Sequence, residues 1–317
     1  MDDAVNPFKS RFFPWYGVLS VLIVLFFVIV ALSAPLLAPS GPSDGSSTYR
    51  LVEPAVQFLP NPPEPDYRLG TVPLGALKQI DVYYTLIWGA RSALLFGASA
   101  MLLISIFGSV VGAASSYIGG AAGQLVLRIT DSFLAFPVIA GVVLFGQLFF
   151  SQNSWIEPGF LETSLNRLGL DNVMLALVCF GWMPYTRVIY ADMERIRHSE
   201  YVLAARSAGA RPGRILFRHL IPNSIANVIV LATRDVGGLV LLQAGFTYIG
   251  VGGKSDWGGL LAVGHKWIVG VGGNPFGYWW VFIPVTLALV VFGFGWNLLG
   301  DYLNELLNPR LRFTLPK

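Results

Sequence analysis

Apolar residues along this chain are gathered into long blocks that short polar stretches separate. A helix needs about 20 apolar residues to cross the hydrocarbon core of a bilayer, and lipid offers no partners for backbone polar groups. Six blocks are long enough: residues 18–36, 92–118, 132–150, 172–190, 226–250 and 278–299. The pattern therefore predicts an all-α integral membrane protein with six transmembrane helices.

The first block has an alternative interpretation as a cleaved signal peptide, because Ala31-Leu32-Ser33 has the small residues of a cleavage site. The apolar core of a signal peptide is only about 7 to 15 residues long. Because residues 18–36 form a longer block, a retained transmembrane helix is favoured.

The composition excludes several other classes of protein and site. Hydrophobic residues make up 54% of the chain and charged residues 12%, whereas soluble domains carry about 25% charged residues. The single Cys179 excludes a disulfide framework within the chain. The three histidines are too scattered for a metal site, and the net charge of +3 indicates no affinity for nucleic acid.

Lys and Arg are concentrated in the N-terminal segment, in the connector 191–225 and in the C-terminal tail. Because cytoplasmic segments carry the excess of basic residues, this distribution predicts that both termini are cytoplasmic. Residues 1–17 would then be a cytoplasmic N-terminus and residues 301–317 a cytoplasmic tail. Residues 92–300 would form a core of five helices, with 191–225 as its cytoplasmic loop.

Residues 37–91 are predicted to form an extracytoplasmic loop. The loop opens with "APSGPSDGSS", whose Pro, Gly and Ser residues favour turns over helix. Nearer the second block, Ile80, Tyr83, Tyr84 and Ile87 have helical spacing. This spacing predicts an amphipathic helix at the membrane surface.

The basic connector contains the stretch "YVLAARSAGARPGRILFRHLIPN" at residues 201–223. Its Ala-rich start predicts a short helix, and Gly209 permits a sharp turn. Pro212 suits the first position of a second short helix, which we expect Pro222 to end. In that second helix Ile215, Leu216, His219 and Leu220 would share one face, and Arg211, Arg214 and Arg218 another.

An apolar ridge held between two transmembrane helices could enter a groove on a partner protein. The alternative is a basic loop that only fixes the topology and contacts anionic lipid. The spacing of the stretch favours the first interpretation. It reads Leu203-Ala204-Ala205, three residues, Gly209, nine residues, and then His219, Leu220, Ile221 and Pro222.

This spacing resembles the cytoplasmic loop of the permease subunits of ABC importers, which reads Glu-Ala-Ala, three residues, Gly, nine residues, Ile, any residue, Leu-Pro. Ala204, Ala205, Gly209 and Pro222 match this pattern. Leu203 replaces the glutamate, and His219 and Ile221 replace the isoleucine and the leucine.

Further segments resemble the permeases of dipeptide and oligopeptide importers, in the same order along the chain. They are "LGTVPLG", "WGARSALLFG", "LRITDSFLAFP", "FTYIGVG", "DWGGLL" and "NLLGDYLNELLNPRLR". The resemblance implies a type I ABC importer permease fold in the bacterial cytoplasmic (inner) membrane. The acidic residue that the family has in the fifth transmembrane helix is Gln243 here.

The resemblance also implies partners and a division of work. The partners would be a second homologous permease subunit, two cytoplasmic ATPase subunits, an extracytoplasmic substrate-binding protein and membrane lipid. The chain would bind no cofactor directly and would not itself be an enzyme, with ATP and Mg on the ATPase subunits. The residues implied in coupling to the ATPases are Leu203, Ala204, Ala205, Gly209, Arg214, Ile215, Leu216, Arg218, His219 and Pro222.

Polar residues within the fifth block are candidates for the translocation path. Arg234 and Asp235 would each cost at least about 2.5 kcal/mol if they faced lipid, so we expect them to face the bundle and to find separate partners. The alternative is that both lie at the cytoplasmic surface. Gln243 lies two turns further along the helix and is a stronger candidate.

Three alternatives for the function remain. The same class of importer also includes carriers of nickel chelates and oligosaccharides, beside the di- and oligopeptides that we favour. A secondary transporter would have six transmembrane helices but no need for the basic loop. An intramembrane hydrolase is disfavoured because no Ser/His or Asp/Asp pairing lies within the apolar blocks.

Overall fold

The computed structural model describes residues 15–39, 50–53, 58–74, 78–149, 160, 163–164, 170–270 and 273–307. Its helices are α1 Trp15–Leu37, α2 Val82–Ile118, α3 Gly120–Leu134, α4 Val138–Phe149, α5 Asn172–Phe180, α6 Met183–Arg197, α7 Glu200–Ser207, α8 Pro212–Ile215, α9 Ile221–Tyr248, α10 Asp256–Val269 and α11 Trp279–Leu307. Its strands are β1 Leu51–Val52, β2 Thr71–Leu74 and β3 Lys78–Asp81. A π-helical turn, Leu216–Leu220, joins α8 to α9.

The predicted set of transmembrane helices is confirmed. In the described ranges, five stretches are long and apolar enough to cross a bilayer, and a bent pair of helices makes up to six. Helices α5 and α6 together form one of the five. The bent pair is α3 and α4, which meet at an angle of 83°. The third predicted block, 132–150, therefore covers only the end of α3 and the whole of α4.

A small antiparallel sheet, in the order β1-β3-β2, lies beside the start of α2. The helix predicted from Ile80, Tyr83, Tyr84 and Ile87 differs at its start, because the last three lie in the first turns of α2 whereas Ile80 lies in β3. Ile80 pairs with Leu51 and Val72 within the sheet. The Asp81 side chain then accepts a hydrogen bond from the Tyr84 N–H at 3.2 Å, and this cap starts the 37-residue helix α2.

Helix α9 lies at the centre of the bundle, where it packs against α2, α6, α10 and α11. Small residues bring α2 close to α6, as their four-residue spacing predicts. Thr186 Oγ1 of α6 donates a hydrogen bond to the Gly108 carbonyl at 2.8 Å. Gly112 leaves no room for a side chain because Thr186 and Ile189 lie against it.

We call the end of the bundle that carries residues 198–220 the loop face, and the opposite end, which carries the sheet, the strand face. The start of α1 and the end of α11 both lie at the loop face, where the Tyr302 ring packs against Gly17. The described ends of the chain are thus on one side of the bundle. The predicted terminal segments 1–14 and 308–317 lie outside the described residues.

Candidate functional site: the basic loop and the polar residues of the bundle

The first half of the basic loop is a helix closed by a glycine turn. Gly209 follows α7 with a φ of +81°. The Gly209 N–H donates to the Arg206 carbonyl, and the Ala210 N–H donates to the Ala205 carbonyl, both at 3.0 Å. This pair of bonds is the Schellman motif, which requires a left-handed residue after the helix. The predicted turn at Gly209 is confirmed.

The second half of the loop differs from the prediction at its end. Pro212 begins α8, as expected, but Pro222 does not end the helical backbone. Instead the π-helical turn carries the chain from α8 into α9, and Pro222 lies in the first turn of α9.

The predicted apolar ridge is not free to enter a groove on a partner through Ile215 and Leu220. Ile215 and Leu220 are only 5% and 4% exposed, and both belong to the same buried cluster as Val202 of α7. These three side chains anchor the loop to the bundle. The apolar side chain that projects outward is Phe217, which is 73% exposed.

The other residues predicted for coupling fall into two groups. Those that the structure exposes are Leu203, Ala204, Gly209, Arg214, Arg218 and Pro222. Those that are half-buried are Ala205, Leu216 and His219. The exposed surface of the loop thus combines two large apolar side chains, Leu203 and Phe217, with several arginines.

Polar contacts at the base of the loop join the helices on either side of it. The buried Asp192 of α6 accepts a hydrogen bond from Asn227 Nδ2 of α9 at 2.6 Å. Asp192 also accepts one from Arg195 Nη2 at 2.8 Å. Sequence reasoning missed this site, since 35 residues separate Asp192 from Asn227.

A second set of contacts ties α6 to the end of α2. Ser116 Oγ donates to Glu194 Oε1 at 2.9 Å, and Arg197 Nη2 donates to the Ser116 carbonyl at 2.8 Å. Arg197 and Glu194 also form an ion pair at 3.0 Å. Charged and polar groups therefore hold the ends of three helices together at the loop face.

The candidate path residues of α9 find separate partners, as predicted. Arg234 forms an ion pair with Asp301 of α11. Asp235 accepts a hydrogen bond from the Tyr185 hydroxyl of α6 at 2.5 Å. Gln243 is buried nearer the strand face, where its side chain lies close to Gly253. The structure does not bring these three residues into one site.

Buried acids at the strand face have raised pKa values. Burial raises the pKa of Asp256, at the start of α10, to about 6, although Ser92 Oγ of α2 donates a hydrogen bond to its carboxylate. Burial likewise raises the pKa of Asp171, whose carboxylate caps α5 by accepting from the Met174 N–H at 2.7 Å. Asp256 thus links the start of α10 to α2, and Asp171 caps α5. No catalytic pairing follows from the positions of these two acids.

An apolar cavity of about 340 Å³ opens between α9, α10 and α11. Tyr248 and His265 line it, and the Tyr248 hydroxyl lies 2.7 Å from His265 Nδ1. In the part of the chain that the structure describes, no three His, Cys, Asp or Glu residues are grouped as a metal site would require.

Comparison with known proteins identifies the relatives of the chain. The profile of a family described as "Binding-protein-dependent transport system inner membrane component" matches residues 104–313. The dipeptide transport system permease protein DppC of Alkalihalophilus pseudofirmus is 28% identical, over 98% of this chain and 92% of that protein. The oligopeptide transport system permease protein OppC of Bacillus subtilis is 26% identical, over 98% and 90%. The nickel transport system permease protein NikC of Escherichia coli is 28% identical, over 94% and 95%.

Proposed function

We propose that the basic loop transmits the conformational change of partner ATPases to the bundle. The premise is that the chain belongs to the family of binding-protein-dependent transport system inner membrane components. The chain is a permease of the peptide/nickel group of ABC importers and a multi-pass protein of the bacterial inner membrane. Its place in such an importer requires a cytoplasmic orientation for the loop face. The excess of Lys and Arg on that side supports this orientation.

The proposal rests on one observation: the loop is anchored to the core by buried side chains and also exposes apolar side chains. Val202, Ile215 and Leu220 fix it to the buried core, so a push on the loop displaces the helices to which it is attached. Phe217 and Leu203 offer apolar side chains to a partner. We propose that the partner surface is a groove on an ATPase subunit, with the arginines contacting its rim.

The remaining partners follow from the same importer class. A second homologous permease subunit would complete the translocation path, and a substrate-binding protein would dock at the strand face. ATP and Mg would be held by the two ATPase subunits. The chain itself would serve as the transport subunit.

For the path, we propose that Gln243 faces the cargo. Its amide is buried within the bundle at a depth where lipid could not satisfy it. Arg234 and Asp235 have a different role in this proposal, because each is engaged by a neighbouring helix. They would hold α9 against α11 and α6 and would not contact the cargo.

We propose di- or oligopeptides as the cargo. The relatives named for dipeptide and oligopeptide transport support this assignment. A nickel chelate is the second candidate, because the relative named for nickel transport is as similar to this chain as the dipeptide relative. Uptake of labelled di- and tripeptides, compared with uptake of ⁶³Ni²⁺ with and without a chelator, separates the two in cells that depend on this importer.

The coupling proposal is tested by replacing Phe217 with serine in the assembled complex. Phe217 is largely exposed, so the permease should insert and fold normally, while fewer ATPase subunits co-purify and ATP-driven uptake falls. Phe276→Ser is the matched control for retention of ATPase subunits, because Phe276 is 92% exposed between α10 and α11, at the end of the bundle opposite the loop. Equal retention of ATPase subunits by the two variants, with normal uptake, would refute the proposal.

A further inference from the structure

We propose that Asp192 and Asn227 form a positioning latch, which makes α6, the loop and α9 move as one body when the loop is pushed. The inference rests on the proposed function, because the latch matters only if work enters through the loop. Neither residue contacts cargo or ATP in this proposal. They act through the helices that they hold together.

The latch lies where the loop leaves and re-enters the bundle. Asp192 is in the last two turns of α6, which ends at Arg197, and Asn227 is in the second turn of α9. The bond from Asn227 Nδ2 to Asp192 Oδ2, at 2.6 Å, therefore closes the base of the loop formed by residues 198–220. A displacement of the loop reaches both helices together while this bond holds.

Of the two contacts that Asp192 accepts, the one from Asn227 is expected to hold the helices together. The Asp192 carboxylate is buried, whereas the Arg195 side chain that also contacts it is 72% exposed. The Arg195 guanidinium reaches this carboxylate from solvent and from the same helix, so water can replace its contact and the contact joins no second helix. The Asn227 bond is the one that crosses from α6 to α9. A hydrogen bond to a buried carboxylate is stronger, and its loss leaves the charge poorly satisfied.

The bundle does not depend on the latch for its assembly. Deeper in the membrane, Tyr185 of α6 bonds to Asp235 of α9 at 2.5 Å. Ile189 and Met193 of α6 belong to the same buried cluster as Val228 of α9. Loss of the latch should therefore free the loop-face ends of α6 and α9 without separating the helices.

The test uses the complete importer in proteoliposomes, with ATP hydrolysis and cargo uptake measured on the same preparation. Asn227→Ala should keep ATP hydrolysis but lower uptake per ATP about tenfold, the change in an equilibrium expected from losing one hydrogen bond to a charged group. Asn227→Asp should do the same, because two carboxylates would then face each other.

Exchange of the pair provides the rescue. In Asp192→Asn with Asn227→Asp, an amide again donates to a carboxylate, and uptake per ATP should return to within about twofold of the wild type, a difference well below one hydrogen bond. Arg195→Gln is the matched control on the same carboxylate and should leave uptake per ATP unchanged.

Three outcomes would overturn the latch. The first is wild-type uptake per ATP in both Asn227 variants while Phe217→Ser loses ATPase subunits and uptake, which rejects the latch but leaves the proposed function intact. The second is a fall in uptake that only follows a fall in folded complex, measured by its melting temperature. The third is an exchanged pair that folds normally and remains uncoupled. Separately from these three, normal retention of ATPase subunits and normal uptake in Phe217→Ser would reject the proposed function, on which the latch rests.

Discussion

Replacing Gly209 with valine should uncouple ATP hydrolysis from uptake while the bundle remains folded. Gly209 has a φ of +81° and no atom within 4 Å of the position that a Cβ would occupy. The Cβ of a substituted residue therefore contacts no neighbouring residue. The cost comes from the backbone alone, since a left-handed conformation costs a residue with a side chain about 1–2 kcal/mol.

The loop can meet this cost in two ways. It can keep the strained φ, or it can release the backbone and lose the bonds of Gly209 N–H to Arg206 and of Ala210 N–H to Ala205. Each bond contributes about 0.5–1.5 kcal/mol. Either way, the change is about 1–3 kcal/mol at the loop. This raises the share of misfolded loops about fivefold or more. The buried anchors at Ile215 and Leu220 remain in place.

The assay compares a series of variants in reconstituted importer, with uptake per ATP as the main measurement. Gly209→Val should be uncoupled most and Gly209→Ala less, while Gly209→Asn should be nearly normal because asparagine tolerates the left-handed region. Gly213→Ala is the matched control, since Gly213 also has open space but no positive φ. Limited trypsin cleavage after Arg206 should quicken in the same order. Identical uptake per ATP in Gly209→Val and Gly213→Ala would refute the reasoning.

Three further predictions concern other parts of the molecule. Gly112→Leu should destabilise the packing of α2 on α6 by about 1–3 kcal/mol and lower the melting temperature, whereas Gly238→Ala should not, because Gly238 has open space; equal melting temperatures would contradict this. Burial raises the pKa of Asp256 from 3.8 to about 6, so the acid stabilises the fold when protonated. Its contribution to the free energy of unfolding is complete below about pH 4 and is lost as the pH rises through about 6. The melting temperature of the wild type should therefore fall over this pH range more than that of Asp256→Asn, and an equal fall in both would contradict the prediction. Gln243→Leu should reduce uptake while ATPase subunits remain bound, and unchanged cargo kinetics would exclude Gln243 from the path.

The transmembrane helices could be predicted because each depends on its own composition. Block length and hydropathy suffice when the solvent is lipid. The break between α3 and α4 had a local indicator in Pro137, since the residue before a proline is disfavoured in a helix. The strand around Ile80 had none, because its spacing also fits a helix and the sheet forms only by pairing with residues distant along the chain.

The loop shows the same division between local and distant causes. The turn at Gly209 and the start of α8 at Pro212 follow from the residues themselves and were predicted. The helical periodicity also placed Ile215 and Leu220 on one face, but periodicity does not say whether that face meets water or the chain's own core. Contacts such as that of Asp192 with Asn227 depend on how whole helices are arranged, so they require the structure.

Helix α2 is a 37-residue rod, about 55 Å long at 1.5 Å per residue and longer than the hydrocarbon core of about 30 Å. One end is capped within the sheet by Asp81, and the other is tied to α6 through Ser116. A tilt of α2 imposed at the strand face therefore displaces its end at the loop face, and the reverse also holds. If a substrate-binding protein docks at the strand face and ATPase subunits at the loop face, as proposed, reciprocity applies to the two events. Any factor by which nucleotide binding changes the affinity for the binding protein is then the factor by which docking changes the affinity for nucleotide.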